Sequence, residues 1–227
     1  MKLLTLNLRH GGGNRIGEII KFLTIASVDV IVLTEFRNNR QGKLILDWLD
    51  EMGWQWTSPE NLNPRQNTVL IAARKLNAYK LPLPPNSWSL IAAELDHVLV
   101  VGTYMPNKSE KESLFEWMFD FFDGRQRTLL IGDFNTGLND LDLEGNSKFW
   151  CENEFRLLST DLMHDAFRLV HGQSQEYSWV SNRGNGFRID HLLVSKDLKP
   201  SVSEVMYIHE TRDRISDHSC LFAELSV

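Results

Sequence analysis

The chain has 227 residues, of which 42% are hydrophobic and 24% are charged, as in an ordinary globular protein long enough for one large domain. Its formal net charge of -6 argues against tight, nonspecific binding to nucleic acid over the whole surface, although a local basic rim is compatible with it. The two cysteines favour neither a disulfide framework nor a cysteine-based zinc site. No segment approaches the ~20 apolar residues that span a bilayer. We therefore expect a cytoplasmic protein, monomeric by default, with a single domain over residues 1–227.

The first half of the chain predicts strands interleaved with two amphipathic helices. Its apolar residues recur at helical spacing in some windows and run continuously, with β-branched side chains, in others. Strands are predicted at residues 2–8, 28–33, 54–57, 68–74, 87–95 and 98–104, and helices at 15–27 and 43–52. Asp96 and His97 are expected to form a tight turn between the last two strands. A proline-rich stretch at 81–85 is expected to be an extended surface loop.

The second half predicts two more helices and a series of short strands. A helix is predicted at 109–122, with Ser109 as its N-cap and Glu112 three residues later as the partner in a capping box. A further helix is predicted at 148–158, and strands at 128–131, 177–180, 187–194, 202–208 and 220–225. So many strands with few helices favour two packed sheets with helices outside them.

Four apolar segments end in carboxylate, amide or imidazole side chains. A buried strand that ends in an acid is costly unless the acid meets a metal, a partner or water. If the four ends converge, they form a compact anionic pocket with a histidine beside it, as metal-assisted hydrolysis of a phosphoester requires. The polar side chains at these ends are Glu35, Asp133, Asn135, Asp190, Asp217 and His218.

Each of these side chains also has a simpler interpretation. Glu35 follows a buried strand and is a natural ligand for a hard divalent ion, but it also fits a surface acid paired with Arg37 or Arg40. Asp133 and Asn135 alternate about Phe134, so on an extended chain both point the same way. An acid to take a proton and an amide to hold water or phosphate suit that arrangement, and so does an ordinary Asx turn.

Asp190 lies inside an otherwise apolar strand and needs a partner, which the segment containing His218 supplies. A carboxylate that accepts a hydrogen bond from an imidazole orients the ring and favours its protonated form. Such a pair also occurs as a purely structural link between two strands. The coincidence of all four clusters favours the catalytic interpretation.

Short polar and aromatic motifs occur along the chain in a definite order, which is Asn7, Glu35, Tyr104-Met105-Pro106-Asn107, Gly132-Asp133-Phe134-Asn135, Asp165-Ala166-Phe167-Arg168, Tyr177-Ser178-Trp179, Arg188-Ile189-Asp190-His191 and Ser216-Asp217-His218. In this order they resemble the motifs of the endonuclease/exonuclease/phosphatase superfamily, and the C-terminal half is most similar to the exonuclease III branch. The resemblance runs from Asn7 to His218. It implies a four-layer α/β/β/α sandwich in which two mainly antiparallel β-sheets are flanked by helices.

The resemblance implies a role for each site residue. Glu35 would bind Mg²⁺ or Mn²⁺, with Asn7 and Asp217 on the metal side. Asp133 would activate the attacking water, and Asn135 would position water and phosphate.

The remaining implied roles concern the phosphate and the substrate. Asp190 would orient His218, whose imidazolium would contact a phosphate oxygen. Tyr104 and Asn107 would touch the phosphate or the leaving group. Trp179 lies beside the expected pocket, where an aromatic ring can stack on a base.

Arg9 departs from the family pattern. The nuclease branch commonly carries Asp or Asn two positions after the first Asn, and a cation there cannot bind a metal. A guanidinium suits bidentate contact with a substrate phosphate, or it pairs with a nearby acid such as Glu35. The number of metals is therefore left open.

We expect a divalent-metal-dependent phosphodiester hydrolase, specifically a nuclease acting on DNA. One alternative is the same chemistry on a non-nucleic substrate such as a phospholipid headgroup, a nucleotide or a sugar phosphate. Another is a catalytically silent binding module that keeps the pocket.

Overall fold

A computed structural model of the chain describes residues 1–60, 62–83 and 87–227. Most of the predicted elements are present within these ranges, with shifted ends. In chain order they are β1 (Lys2–Asn7), α1 (Ile16–Ile25), β2 (Val30–Phe36), α2 (Arg40–Glu51), β3 (Gln55–Thr57), β4 (Thr68–Ala73), β5 (Asn77–Tyr79), β6 (Leu90–Leu95), β7 (Val98–Tyr104), α3 (Glu112–Phe122), β8 (Thr128–Asp133), α4 (Glu152–Leu157), β9 (His164–Asp165), α5 (Ala166–His171), β10 (Trp179–Val180), β11 (Gly186–Phe187), β12 (Asp190–Val194), β13 (Val202–Ile208) and β14 (Cys220–Leu225).

Two six-stranded sheets carry the fold, in the orders β13-β14-β1-β2-β4-β3 and β5-β6-β7-β8-β12-β9. Each sheet has one parallel pair at its centre, β1 with β2 and β7 with β8, and the pairs around it are antiparallel. Each parallel pair is joined by a helical crossover, α1 in the first sheet and α3 in the second. Parallel strands end at the same edge of a sheet, so this topology brings the ends of β1, β2, β7 and β8 toward one end of the molecule.

The structure confirms the predicted four-layer α/β/β/α sandwich. Three layers of apolar side chains fill the spaces between its helices and sheets. Val32, Ile71 and Leu129 belong to the layer between the sheets. A second layer packs α1 and α2 on the first sheet, and a third packs α3 and α4 on the other. Gly102 in β7 lets the sheets approach closely, because a Cβ there would lie 2.8 Å from Cγ1 of Val69.

Two predicted helix starts are wrong. The segment Lys108–Lys111 forms a 3₁₀ turn in which Ser109 contributes its carbonyl, so Ser109 is not an N-cap and α3 begins at Glu112. The predicted helix at 148–158 begins only at Glu152. Hydrogen bonds to other parts of the chain replace helical ones here: Phe149 N donates to Asn139 Oδ1 (2.8 Å), and the Trp150 carbonyl accepts from Thr136 Oγ1 (2.8 Å).

The proline-rich stretch is less exposed than expected. Leu81 is buried in the layer beneath α3, and the indole of Trp117 donates to the carbonyl of Pro82 (3.0 Å). Pro84 and Pro85 lie outside the described residues. Strands β5 and β9 and helix α5 are too short for a periodic signal, and the analysis of the sequence missed them. None of the helices in the described ranges combines the length and apolarity that crossing a bilayer demands.

Candidate active site

The ends of the two parallel strand pairs meet at one edge of the molecule. Asn7 ends β1, Tyr104 ends β7 and Asp133 ends β8, while Glu35 is the penultimate residue of β2. Asp190 begins β12 directly opposite Asp133 in the ladder. All of these residues were predicted to share a site, and the structure brings them together.

Gly132 gives β8 a conformation that other residues rarely adopt. Its φ is 143°, and a Cβ built on it would lie 2.0 Å from the carbonyl oxygen of Thr103. Asn135 follows with a φ of 49°, in the left-handed region that asparagine tolerates better than most residues. The backbone conformations of Gly132 and Asn135 change the direction of the chain, so that the side chains of Asp133 and Asn135 face the site.

Asn7 links the two sheets through its amide. The side chain is fully buried, and its Nδ2 donates to Oδ2 of Asp133 (2.8 Å) and to Oε1 of Glu35 (3.3 Å). Its Oδ1 accepts from the backbone N–H of Arg9 (2.8 Å). An uncharged donor between two carboxylates reduces their repulsion and holds them in place. The predicted contact of Asn7 with a metal stays a prediction, because both ends of its amide have protein partners here.

Asp133 has the properties of a base. Its side chain is buried, and burial together with the charge of Asp190 raises its pKa to about 7. Oδ1 accepts from the backbone N–H of Asn135 (2.8 Å), and Asn135 in turn donates from Nδ2 to the carbonyl of Met105 (2.8 Å). The Asx turn is therefore present, and the same turn fixes the carboxylate and the amide relative to each other.

Asp190 and His218 form the predicted pair. Nδ1 of His218 lies 2.7 Å from Oδ2 of Asp190, and both side chains are buried. Burial alone would lower the pKa of His218, but the charge of Asp190 and their hydrogen bond outweigh burial and raise the pKa to about 9. The ring is therefore an imidazolium at neutral pH, with Nε2 as its second donor.

The His218 pair predicts a pH dependence. Because the folded pKa of His218 is about 9, above the ordinary 6.5, its contribution to stability is fully present below pH 6.5 and is lost as the pH rises through about 9. Asp190→Asn removes the charged partner, so we expect a lower His218 pKa and an earlier loss of stability. NMR titration of the imidazole protons in metal-free protein measures this shift. An unchanged midpoint in the variant would show that Asp190 is not what keeps the ring charged.

Glu35 is the carboxylate best placed to hold a cation. One oxygen atom from each of Asp133 and Asp190 and a nitrogen of His218 also lie within 4.8 Å of one another, but the imidazolium already supplies positive charge to that trio. Glu35 has a side chain 13% exposed and lines an open cavity. Its Oε1 accepts from the Tyr104 hydroxyl (3.4 Å), and its Oε2 accepts from the backbone N–H of His10 (2.6 Å). An oxygen donor that faces open space and is oriented by several hydrogen bonds fits a hard divalent ion.

The cavity at this edge has a volume of about 570 Å³ and a lining that includes both polar and aromatic side chains. The polar lining residues are Glu35, Asn107, Asn135, Asp217 and His218, together with Lys108 and Lys148. The apolar lining residues are Phe149, Trp150, Trp179, Phe187 and Ile189. The ring centre of Trp179 lies 5.5 Å from that of Phe187 and 6.5 Å from that of His218. Polar side chains suit a phosphate, and aromatic rings suit a base.

Arg9 does not pair with Glu35. Its Nε lies 3.7 Å from Oδ2 of Asp217, and both side chains are largely open to solvent. Nor does Glu35 form an ion pair with Arg37 or Arg40 among the described contacts; the ring of His10 is its neighbour, with Nδ1 2.9 Å from Oε2. Arg9 therefore lies beside Asp217, which lines the cavity, and not beside Glu35.

Lys111 is a residue that the sequence analysis missed. Its side chain is fully buried, and Nζ donates to the carbonyls of Asn135 (2.7 Å) and Phe134 (3.2 Å), directly after β8. Burial lowers its pKa to about 8, against the opposing charge of Asp133. Its position in the sequence could have indicated this burial: Lys111 directly precedes α3 and lies three residues before the buried Leu114, in line with the apolar stripe of that helix.

Lys111→Met is expected to lower the free energy of unfolding by about 1–3 kcal/mol, because two inward-facing carbonyls lose their donor. The amide of Asn135 is expected to exchange faster with solvent, since the loop after β8 loses its anchor. Urea titration and hydrogen exchange measure the two effects. Lys43→Met on the exposed face of α2 is the matched control, and equal stability of both variants would mean that Lys111 holds nothing in place.

The chain belongs to the endonuclease/exonuclease/phosphatase family, because the model of that family matches residues 4–218. It is therefore a phosphoric ester hydrolase of the divalent-metal-dependent kind that this family contains. The predicted resemblance is confirmed.

Among the solved structures that are similar to the chain, the following three align over 100% of both chains. The 3′ phosphatase NExo from Neisseria, bound to a product DNA hairpin, is 26% identical with a TM-score of 0.84. The 3′-5′ exonuclease NExo from Neisseria meningitidis is 26% identical with a TM-score of 0.83. An AP endonuclease from Archaeoglobus fulgidus is 19% identical with a TM-score of 0.84, which speaks to the fold alone.

Proposed function

We propose that the protein is a nuclease that hydrolyses phosphoester bonds in DNA with Mg²⁺ or Mn²⁺ bound at Glu35. The observation that carries this proposal is a hydrogen-bonded cluster beside one cavity: Asn7 joins the buried Asp133 to Glu35, and both Glu35 and His218, the partner of Asp190, line the cavity. A divalent ion, when bound, supplies positive charge to the phosphate and to the leaving oxygen. The two free cysteines, Cys151 and Cys220, suit a reducing compartment, so we place the protein in the cytoplasm.

Among the protein's own residues, Asp133 takes the proton of the attacking water, and Asn135 and His218 contact the phosphate. Asp133 accepts the proton of the attacking water, since a pKa of about 7 is matched to a general base at neutral pH. Asn135 holds the water and a phosphate oxygen. His218 donates from Nε2 to another phosphate oxygen, while Asp190 keeps its Nδ1 proton in place. Burial and the charge of Glu35 raise the pKa of Tyr104, so its hydroxyl stays a donor.

DNA is the substrate class that the surroundings of the site favour. A second cavity of about 640 Å³ adjoins the first at Asn107 and is lined by Arg37, Arg65 and Trp88 among others. Cations and aromatic rings next to a phosphate site are what a nucleic-acid strand requires, even though the chain as a whole is acidic. Of the two similar Neisseria proteins, one is a 3′ phosphatase bound to a product DNA hairpin and the other is a 3′-5′ exonuclease. The rival proposal is hydrolysis of a small phosphodiester in the same pocket.

A substrate panel tests the proposal. The panel contains duplex DNA with a 3′ phosphate, a recessed 3′ end or an abasic site, single-stranded DNA, RNA and bis(p-nitrophenyl) phosphate, each with Mg²⁺, with Mn²⁺ and with EDTA. We expect hydrolysis of at least one DNA substrate that stops in EDTA. Hydrolysis of the small ester alone would overturn the assignment to DNA. No hydrolysis of any substrate by folded protein would instead favour a silent binding module.

A further inference from the structure

Trp150 is the most exposed of the seven tryptophans, with 55% of its surface open to solvent. A tryptophan usually packs its ring against a neighbour or finds an acceptor for its indole N–H. The indole of Trp56, for example, donates to Oδ1 of Asp50 (2.9 Å). Within residues 1–60, 62–83 and 87–227, the indole of Trp150 has no hydrogen bond and no aromatic ring or cation stacked on it. The ring is therefore available to a partner from outside the chain.

The backbone that carries this exposed ring is held in place. The carbonyl of Trp150 accepts from Oγ1 of Thr136 (2.8 Å). Just before it, the N–H of Phe149 donates to Oδ1 of Asn139 (2.8 Å). Thr136 is buried and directly follows Asn135, so Trp150 is tied to the same loop as a residue of the site. An aromatic side chain on a fixed backbone loses little conformational entropy when it binds a ligand.

Trp150 lies on the same cavity as the groups that we assign to catalysis. It lines the cavity of about 570 Å³ together with Glu35 and His218. Two exposed lysines, Lys108 and Lys148, are also in the lining. Proteins that bind single-stranded nucleic acid combine cations that follow the phosphates with aromatic rings on which the bases stack. Both components are present around this cavity.

A stacking partner for Trp150 must offer an uncovered flat face. Bases have such faces, but inside a duplex each base is covered on both sides by its neighbours. Taking a base out of the stack costs free energy, and the cost is least where the base is mismatched or already single-stranded. Trp179 also lines the cavity, but its ring packs against that of Phe187, with the ring centres 5.5 Å apart. Trp150 is therefore better placed than Trp179 to receive an unpaired base.

We propose that Trp150 stacks on an unpaired base of the substrate strand, next to the phosphate that is hydrolysed. This inference rests on the proposed action on DNA and deepens it, because it specifies the state of the strand at the site. It makes the protein selective for a frayed or single-stranded position. A fully paired position is a poorer substrate, since its base must first leave the duplex stack.

Steady-state kinetics on modified oligonucleotides test the proposal. In the best DNA substrate of the panel, each base near the reacting phosphate is replaced in turn by an abasic tetrahydrofuran residue. We expect kcat/KM of the wild type to fall about 10-fold at one of these positions, within the range for a base stacked on an aromatic ring. In Trp150→Ala, the unmodified substrate is expected to show a similar loss, and the abasic residue at that position is expected to cause no further loss.

Two further variants show whether the aromatic ring is the cause. Trp150→Phe keeps an aromatic face and is expected to retain most of the dependence on the base. Trp56→Ala, at a partly exposed tryptophan of β3, is the control and is expected to behave as the wild type does. A duplex with mismatches at the reacting position is expected to be a better substrate than the matched duplex for the wild type. Trp150→Ala is expected to lose this preference.

The contrary outcomes separate this inference from the function on which it rests. If the abasic residue causes the same loss in the wild type and in Trp150→Ala, the base binds elsewhere, and the role of Trp150 is overturned while the nuclease remains. A loss of kcat/KM in Trp150→Ala that no abasic position reproduces in the wild type would also overturn stacking. Wild-type protein that hydrolyses the small ester and no DNA would overturn the assignment to DNA and the inference with it.

Discussion

Asp133→Asn is expected to lower the turnover of a DNA substrate about 10³-fold, within the range that a positioned general base contributes. The amide keeps the shape of the carboxylate but cannot accept the proton of the attacking water. Steady-state rates on the best substrate of the panel measure the loss. Asp120→Asn, on the exposed side of α3, is the control for a change of charge alone. A variant that retains a tenth or more of the wild-type rate would remove Asp133 from the role of base.

The same substitution is expected to stabilise the metal-free protein. Because the folded pKa of Asp133 is raised to about 7, above the ordinary 3.8, stability is lost as the pH rises from about 3.8 to about 7, and the full cost of ionising this buried group is present above about 7. Asp133→Asn removes that cost, so its melting temperature in EDTA at pH 8 is expected to exceed that of the wild type. Opposite signs for activity and stability are typical of a strained functional group. A drop in both would instead indicate that the variant is misfolded.

Arg188→Met is expected to lower the free energy of unfolding by about 3–5 kcal/mol, as breaking a buried ion pair typically does. Arg188 is fully buried, with Nε 2.7 Å from Oδ1 of Asp142 and Nη2 2.6 Å from Oδ2 of Asp165. Burial would raise the pKa of Asp165, but Arg188 outweighs burial and holds it well below the usual range. The variant leaves the buried carboxylate of Asp165 without Arg188, while Asp142 keeps the ion pair with Arg168 and the hydrogen bond from the backbone N–H of Leu138.

Guanidinium chloride unfolding measures this loss, with Arg183→Met, at an exposed position in the preceding turn, as the control. The ion pairs of Arg188 also help to position the site, because Arg188 lies two residues before Asp190. In addition, the backbone N–H of Arg188 donates to the carbonyl of Asp142 (2.7 Å). We therefore expect activity to fall with stability in Arg188→Met. A variant as stable as the control would show that the buried ion pairs contribute no net stability.

The residues that form the site could be predicted from the sequence because each one ends or begins an apolar strand. Glu35, Asp133 and Asp190 are recognisable as acids that a buried strand cannot tolerate without a partner. Asp190 lies opposite Asp133 because β12 pairs with β8. No local sequence pattern predicts this order of strands in the sheet. The pairing of Asp190 with His218 was predicted, and the amide of Asn7 between two carboxylates was not.

The errors and omissions have a common physical cause. Ser109 has the local pattern of an N-cap, but the chain there forms a 3₁₀ turn that leads to the buried Lys111. Lys111 is an isolated polar residue whose importance depends on distant partners, the carbonyls of Phe134 and Asn135 in the loop after β8. Local propensity predicts an element, whereas contacts between elements decide where it begins and which side chains serve the site.

The most direct test of the account is a crystal structure of Asp133→Asn with Mn²⁺ and a cleavable DNA oligonucleotide. The account predicts an anomalous Mn²⁺ peak bonded to the carboxylate of Glu35, with a phosphate of the DNA within hydrogen-bond distance of Nε2 of His218. A phosphate bound elsewhere, or a cavity in which Glu35 contacts no ion, would contradict it.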